Sequence, residues 1–243
     1  MRMLTFAKRC AKEILRDPIN LLFGLGFPIV LLLLLSAIQS NIPVSLFEIE
    51  RLAPGIAVFG LSFITLFSAT LISKDRESSF LQRLYTTPLR PVDFILGYIL
   101  PIVPMAMAQG LLCYLVALML GLNFTVNIFF AVISLIPVSL FYISLGLLCG
   151  SIFNTKQVGG ICGALLTNVS AWLSGIWFDL ELIGGIFEDI ANLLPFLHAV
   201  ELERAMIKGD IYGSLPHLCV VLIYAVITAI CAILLFLRQM KRQ

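Results

Sequence analysis

The longest stretch of this sequence without a charged side chain covers residues 94–155, which is 62 residues. About 20 apolar residues suffice to cross ~30 Å of hydrocarbon as a helix, so this stretch can hold two spans joined by a turn near residues 121–127. Apolar residues make up 60% of the chain and charged residues 12%, against roughly 45–50% and about 25% in soluble domains. This composition excludes a soluble globule, a disordered chain and a disulfide-rich secreted scaffold.

Further charge-free stretches flank the longest one on both sides. They cover residues 18–47, 52–73, 157–178 and 211–237. The sequence therefore predicts an all-α polytopic membrane protein with six transmembrane helices. We place these helices at residues 19–38, 53–73, 94–120, 128–153, 158–177 and 215–237.

The basic residues are distributed unevenly between the two sides of these predicted spans. One side, made of the N-terminal segment, the loops after the second and fourth spans and the C-terminal tail, carries 13 of the 16 lysines and arginines. Because basic loops stay in the cytoplasm, we expect both termini to be cytoplasmic and the protein to lie in the cell (inner, cytoplasmic) membrane. The six cysteines have no paired spacing, and we expect them to pack as small apolar side chains.

The N-terminal segment 1–17 has the period of an amphipathic helix. Its apolar face carries Met3, Leu4, Ala7, Cys10, Ala11, Ile14 and Leu15, and Phe6 does not fit that face. Such a helix is typical of the membrane interface, with its basic face towards lipid headgroups, and Asp17-Pro18 ends it. It is either a simple topology signal or an elbow helix that braces a cytoplasmic partner. In the second case the contact residues would be Lys8, Arg9, Lys12 and Arg16.

The loop between the second and third spans is longer than the 2–8 residues usual between packed helices. Residues 75–86 have the pattern of a short amphipathic helix, with Phe80, Leu81 and Leu84 on its apolar face and Glu77 and Arg83 at its charged positions. An exposed apolar stripe is buried against either lipid or another protein, and we favour a protein partner.

The segment 179–210 on the opposite side is acidic but contains two short apolar runs. Runs of this length cannot span a membrane. We expect two short helices that turn at Gly184-Gly185 and Pro195 and dip into the membrane as a re-entrant hairpin. The alternative is a solvated acidic loop.

Charged residues are absent from the predicted spans, and polar ones are few. Carriers that couple to ions usually place ionisable groups at mid-membrane, so an energy source outside this chain is favoured. No nucleotide-binding, hydrolase or metal motif occurs, so we expect no catalytic, cofactor or metal site, no enzyme activity of the chain itself and no nucleic-acid partner. Gly146-x-x-x-Gly150 and Gly159-x-x-x-Gly163 favour close helix packing.

Three stretches resemble type 2 ABC exporter permeases. Residues 4–35 contain Arg16-Asp17-Pro18, and residues 173–204 contain Ser174-Gly175 and Pro195. Residues 75–84 read D-R-E-S-S-F-L-Q-R-L where the family has E-R-E-x-G-T-L-E-R-L, followed by Pro88 and Leu96-Gly97. Ser79 and Phe80 depart from the glycine and threonine usual there, which suggests a contact surface particular to its own partner.

The resemblance implies the membrane subunit of an ATP-driven exporter. It would form the translocation path as a dimer with a second copy or a paralogue, and a separate cytosolic ABC ATPase would bind ATP and Mg. Residues 75–86 would be the coupling helix, with ATPase contacts through Glu77, Phe80, Leu81, Arg83 and Leu84. The second and fifth spans would line the path through Ser62, Thr65, Ser68, Thr167, Asn168 and Trp172.

Two other functions remain open at this point. One is an ATP-independent channel or secondary carrier, and the other is a membrane anchor or assembly subunit without a path. In the second case the polar residues of the spans would bond neighbouring helices only.

Overall fold

The computed structural model describes residues 2–43, 47–78 and 91–240, apart from the side chains of residues 2, 91, 92, 239 and 240. Every regular element in these ranges is a helix, so the predicted all-α class is confirmed. Five of the described helices are long and apolar enough to cross a membrane. They are α2 (Pro18–Gln39), α3 (Ile49–Glu77), α4 (Pro91–Met119), α5 (Asn127–Ile152) and α9 (Ile211–Met240).

The predicted span 158–177 corresponds to a less regular helix, α6. It consists of Thr155–Val158, the π-helical Gly159–Leu166 and Thr167–Trp172. Asn154 and Gln157 cap its start reciprocally, which satisfies two backbone N–H groups that a helix start leaves unpaired. It ends at Trp172, five residues earlier than predicted, and is not among the five apolar helices.

Helix α3 occupies the centre of the fold and is buried along most of its length. Its closest neighbour is α5, and two glycines of α5 permit the approach. A Cβ atom on Gly146 would lie 2.5 Å from the carbonyl oxygen of Thr65, and one on Gly150 would lie 2.5 Å from that of Ala69. The first predicted glycine pair is therefore confirmed as a packing motif. The second is not, because a Cβ on Gly159 would meet nothing within 4 Å.

Replacing Gly150 with alanine is expected to destabilise the fold, whereas Gly159→Ala should not. The new methyl group at Gly150 would overlap the backbone of α3, and forced overpacking costs about 1–3 kcal/mol. Thermal unfolding of the purified chain in detergent would measure the difference. Equal melting temperatures for the two variants would show that α3 and α5 do not pack this closely.

Helix α1 (Arg2–Leu15) packs against α4 through a face that overlaps the predicted one but is shifted towards Phe6, since Ala7 and Cys10 of the predicted face are buried. The ring of Phe6 lies on Gly97, where a Cβ would come within 2.3 Å of the ring, and its centroid is 5.0 Å from that of Tyr98. Leu4 and Leu15, by contrast, are 56% and 71% exposed. The assignment of Phe6 as a misfit was therefore wrong, because Phe6 is buried together with Cys10 and Ala7 while the opposite border of the predicted face is exposed.

Two short helices follow α6, at the end of α3 that lies farthest from α1. They are α7 (Gly185–Leu193) and α8 (Pro195–Lys208), preceded by a 3₁₀ turn at Leu180–Leu182. Gly184 and Gly185 have φ angles of 65° and 63°, a left-handed region that glycine enters without strain. Pro195 occupies the first position of α8, where its missing N–H costs nothing.

Candidate functional site

The last turn of α3, at Asp75, Arg76 and Glu77, was predicted to open a separate coupling helix. In the structure it ends the long helix, and the backbone of Ser78 is extended, so the predicted start of that helix was too early. The other predicted coupling residues, Phe80, Leu81, Arg83 and Leu84, lie outside the described residues.

Asp75 joins three helices through one carboxylate. The guanidinium of Arg9, on α1, donates two hydrogen bonds to it at 2.5 and 2.6 Å, and the hydroxyl of Tyr98, on α4, donates a third at 2.9 Å. Asp75 is only 2% exposed, and a bidentate arginine is the geometry that best compensates a buried carboxylate. Arg9 also pairs with Glu13 one turn further along α1.

Arg76 and Glu77 hold the connection between α5 and α6 from two sides. The guanidinium of Arg76 donates to the carbonyl oxygens of Ser151 and Phe153, at the end of α5. The carboxylate of Glu77 accepts from the backbone N–H and the hydroxyl of Thr155, both at 2.8 Å. A cation at a helix end and an anion at a helix start both complement the helix dipole. Glu77, predicted as an ATPase contact, is thus engaged within the chain.

We call these residues the 75–77 cluster: Arg9, Asp75, Arg76, Glu77, Tyr98 and Thr155. Charge at the end of an apolar span is visible in a sequence, and so is the amphipathic pattern of α1. The pairing between them could not be predicted, because nothing in the sequence shows that Arg9 and Asp75 meet.

A second polar cluster lies at the opposite end of α3 and was missed by the sequence reasoning. Glu203, on α8, is fully buried. One of its carboxyl oxygens is 2.6 Å from the hydroxyl of Tyr114, and the other is 2.6 Å from that of Ser134. Burial raises the pKa of Glu203 to about 8, and the two hydroxyl hydrogen bonds lower it only in part.

The hydrogen bonding of Ser134 is compatible with a protonated Glu203. Its Oγ also lies 2.8 Å from the carbonyl oxygen of Ala131, and a hydroxyl has only one hydrogen to donate. A protonated Glu203 can supply the missing hydrogen to Ser134. The sequence offered one hint of this cluster. Tyr114 and Ser134 lie in charge-free predicted spans, and a buried hydroxyl requires a hydrogen-bond partner.

The neighbouring Arg204 fixes α8 to two more segments. Its guanidinium donates to the carbonyl oxygen of Gly175 at 2.9 Å and to that of Arg51 at 3.4 Å, and it pairs with Glu201 at 2.8 Å. Gly175 follows α6, and Arg51 lies at the start of α3.

An open cavity of about 380 Å³ lies next to Arg204. Four acidic residues contribute to its lining: Asp179, Glu181, Glu188 and Glu201. Within the described part of the chain, no group of three or more His, Cys, Asp or Glu could hold a metal ion.

The predicted path residues fall into two sets. Ser62, Thr65, Ser68 and Thr167 are buried and donate to backbone carbonyls, Thr65 across to Tyr142 at 2.8 Å and the others within their own helices. Asn168 and Trp172 reach the surface of α6. The structure therefore brings the first set to the interior of a single chain and only the second to its outer face.

Long apolar helices surround the buried helix α3, and polar clusters lie at the two ends of α3. This arrangement defines a multi-pass membrane protein. The sequence matches the ABC-2 type transporter family over residues 1–207, and the chain belongs to that family. Members are membrane components of transporters, generally not catalytic themselves, and in general work with an ABC ATPase subunit. The predicted family is thereby confirmed.

A named relative extends this similarity over nearly the whole chain. The sequence is 26% identical to Nodulation protein J of Bradyrhizobium diazoefficiens over 229 residues, which cover 94% of this chain and 86% of that protein. The similarity therefore reaches beyond residue 207 into α9.

Proposed function

We propose that this chain is the permease subunit of an ATP-driven exporter in the cell membrane. The 75–77 cluster is the observation that carries the proposal. Three consecutive residues, placed directly before the segment 79–90, bind α1, α4 and the α5–α6 connection. A displacement applied to that segment would move these elements together, as a subunit driven from outside requires.

The proposed topology has six spans, with α6 as the fifth, and both termini in the cytoplasm. Arg51 and Asp75 mark the two ends of α3, and 24 residues of helix separate them by about 36 Å. This length exceeds the ~30 Å hydrocarbon core, so the 75–77 cluster and Glu203 would lie at opposite membrane surfaces. Helix α1 would lie at the cytoplasmic interface, and α7 and α8 would form the outer re-entrant hairpin.

The proposed partner is a cytosolic ABC ATPase that binds ATP and Mg. The segment 79–90 would seat in it, with Phe80, Leu81 and Leu84 as apolar anchors and Arg83 as a charged contact. Two ATPases would serve two permease chains, either identical copies or a copy and a paralogue. In this arrangement Glu77, which is exposed at the end of α3, would contact the ATPase and transmit its movement to Thr155.

The translocation path would form between the two permease chains. Asn168 and Trp172 face outward from α6 and are the first residues that a substrate would meet there. Ser62, Thr65, Ser68 and Thr167 would line the path only after the helices separate, because each is buried in the single chain. The hairpin of α7 and α8 would close the outer end.

Co-purification from native membranes in mild detergent tests the proposed partner. The wild-type chain is expected to bring down a soluble ATPase, and Leu84→Asp should lose it because a buried anchor becomes charged. Leu182→Asp is the matched control, since Leu182 is 82% exposed at the opposite end, and it should keep the ATPase. A chain that purifies alone and moves solute in liposomes would instead favour a channel or carrier. A chain that does neither would favour an anchor or assembly subunit.

A further inference from the structure

An open groove of about 870 Å³ runs along the polar face of α1, where the chain turns into α2. It is lined by Thr5, Lys8, Arg9, Lys12, Glu13, Arg16, Asp17, Pro18, Ile19 and Lys74. Five of these side chains are cationic and two are anionic. The groove is thus strongly basic and adjoins the first turn of a membrane-spanning helix.

The two carboxylates in the groove are already paired. Glu13 binds Arg9 at 2.8 Å, and Asp17 lies 3.7 Å from Lys74 while also capping the start of α2. Arg9 in turn is held by the buried Asp75. The anions of the groove are therefore not free to neutralise the remaining cations.

Three cations of the groove make no ion pair within the described ranges: Lys8, Lys12 and Arg16. All three are exposed and stand four residues apart in the sequence, with Lys8 and Lys12 on α1 and Arg16 directly after its last residue. Like charges at this spacing repel each other, so the row is unfavourable for the isolated chain. An external anion with several acceptor oxygens would relieve the repulsion.

The groove is bordered by exposed apolar side chains. Leu15 is 71%, Ile19 66% and Leu22 68% exposed, and Ile19 also forms part of the groove lining. These residues lead from the cationic row onto the outer surface of α2. A cationic row that continues into an apolar surface matches a molecule with an anionic headgroup and an acyl tail.

We propose that this groove binds the phosphate headgroup of an anionic phospholipid, with Lys8, Lys12 and Arg16 as its ligands. The acyl chains would lie along Leu15, Ile19 and Leu22. The proposal rests on the topology of the proposed function, which places α1 at the cytoplasmic interface, but not on the ATPase. An acidic protein surface fits less well, because it would leave the apolar border uncovered.

The test uses the full chain reconstituted in phosphatidylcholine vesicles. Spin-labelled phosphatidylglycerol and spin-labelled phosphatidylcholine report, by electron paramagnetic resonance, how strongly each associates with the protein. The wild type should prefer phosphatidylglycerol, and Lys8→Gln/Lys12→Gln/Arg16→Gln should lose that preference. The expected loss is roughly fivefold or more, since each cation near an anionic surface contributes about that factor.

The matched control removes the same charge elsewhere, through Lys156→Gln/Lys208→Gln/Arg238→Gln, three exposed cations outside the groove. This variant should keep the preference for phosphatidylglycerol. An equal loss in both variants would overturn the proposal by showing a general charge effect. Displacement of the labelled lipid by inorganic phosphate would overturn it in favour of a free-anion site.

The same variants separate this proposal from the proposed function. If the groove variant keeps its lipid preference but no longer co-purifies with the ATPase, the groove faces a protein and the lipid assignment fails. If the lipid preference disappears while the ATPase still co-purifies, both proposals stand. Loss of the ATPase from the wild type would contradict only the proposed function, because the lipid measurement needs the chain alone.

Discussion

Asp75→Ala is expected to release α1 from the rest of the molecule. The substitution removes the carboxylate that binds the Arg9 guanidinium through two hydrogen bonds, and it removes the acceptor of the buried Tyr98 hydroxyl. Arg9 is 35% exposed and keeps access to water, so the main cost is the unsatisfied Tyr98 hydroxyl and the lost hydrogen bonds, about 1–3 kcal/mol. Hydrogen exchange of the chain in detergent should show faster exchange of α1, and thermal unfolding should shift downward.

Glu13→Gln provides the matched control for Asp75→Ala. Glu13 binds the same arginine, but both side chains of that pair are 35% exposed, and such pairs contribute only about 0.2–1 kcal/mol. We expect almost unchanged exchange in α1 for this variant. Equal effects of the two substitutions would mean that Asp75 does not anchor α1.

Glu203→Leu is expected to have the second largest effect, on the packing of α8. The hydroxyl of Tyr114 would lose its partner inside the fold, and an unsatisfied buried polar group costs about 1–3 kcal/mol. Glu203→Gln retains an acceptor of similar shape and should be milder. Unfolding in detergent would measure both, and a Glu203→Leu variant as stable as the wild type would contradict the burial of this carboxyl.

The same residue predicts a pH dependence of stability. The pKa of Glu203 is about 8 in the folded chain, whereas an unfolded glutamate titrates near ~4.3. Between these values the folded state holds a proton that the unfolded state has lost, so the free energy of unfolding decreases as the pH rises from about 4 to about 8. Glu203→Gln should remove this decrease. Asp189→Asn, on the exposed side of α7, should retain it.

The positions of the apolar helices followed from charge and hydropathy alone. Five of the six predicted spans overlap the five apolar helices, because an uninterrupted apolar run has few alternatives to a spanning helix. The turns at Gly121, Gly184 and Gly185 were predictable from local sequence too, because glycine favours turns, and each of the three has a positive φ angle.

The roles of single polar side chains were much less predictable. Ser62 and Thr65 were assigned to a path, yet each donates to a backbone carbonyl inside the chain. Glu203 counted as one of several acidic residues in a loop, although it is the most buried of them. Local sequence shows that a residue is polar, but which groups it meets depends on contacts between residues far apart in the chain.

The π-helical segment Gly159–Leu166 determines which side of α6 carries Asn168 and Trp172. Each of its hydrogen bonds encloses one residue more than an α-helical bond does, so the segment holds residues that a regular helix of the same rise would not. Removing one residue from this wide turn would let it close to a regular α-helix and keep the following residues near their present faces, whereas the same deletion in a regular α-helix would rotate them by about 100° around the helix axis. A relative whose fifth span is one residue shorter within this segment would therefore present the residues equivalent to Asn168 and Trp172 on the same side, provided that the alignment places its gap in the π-helical turn.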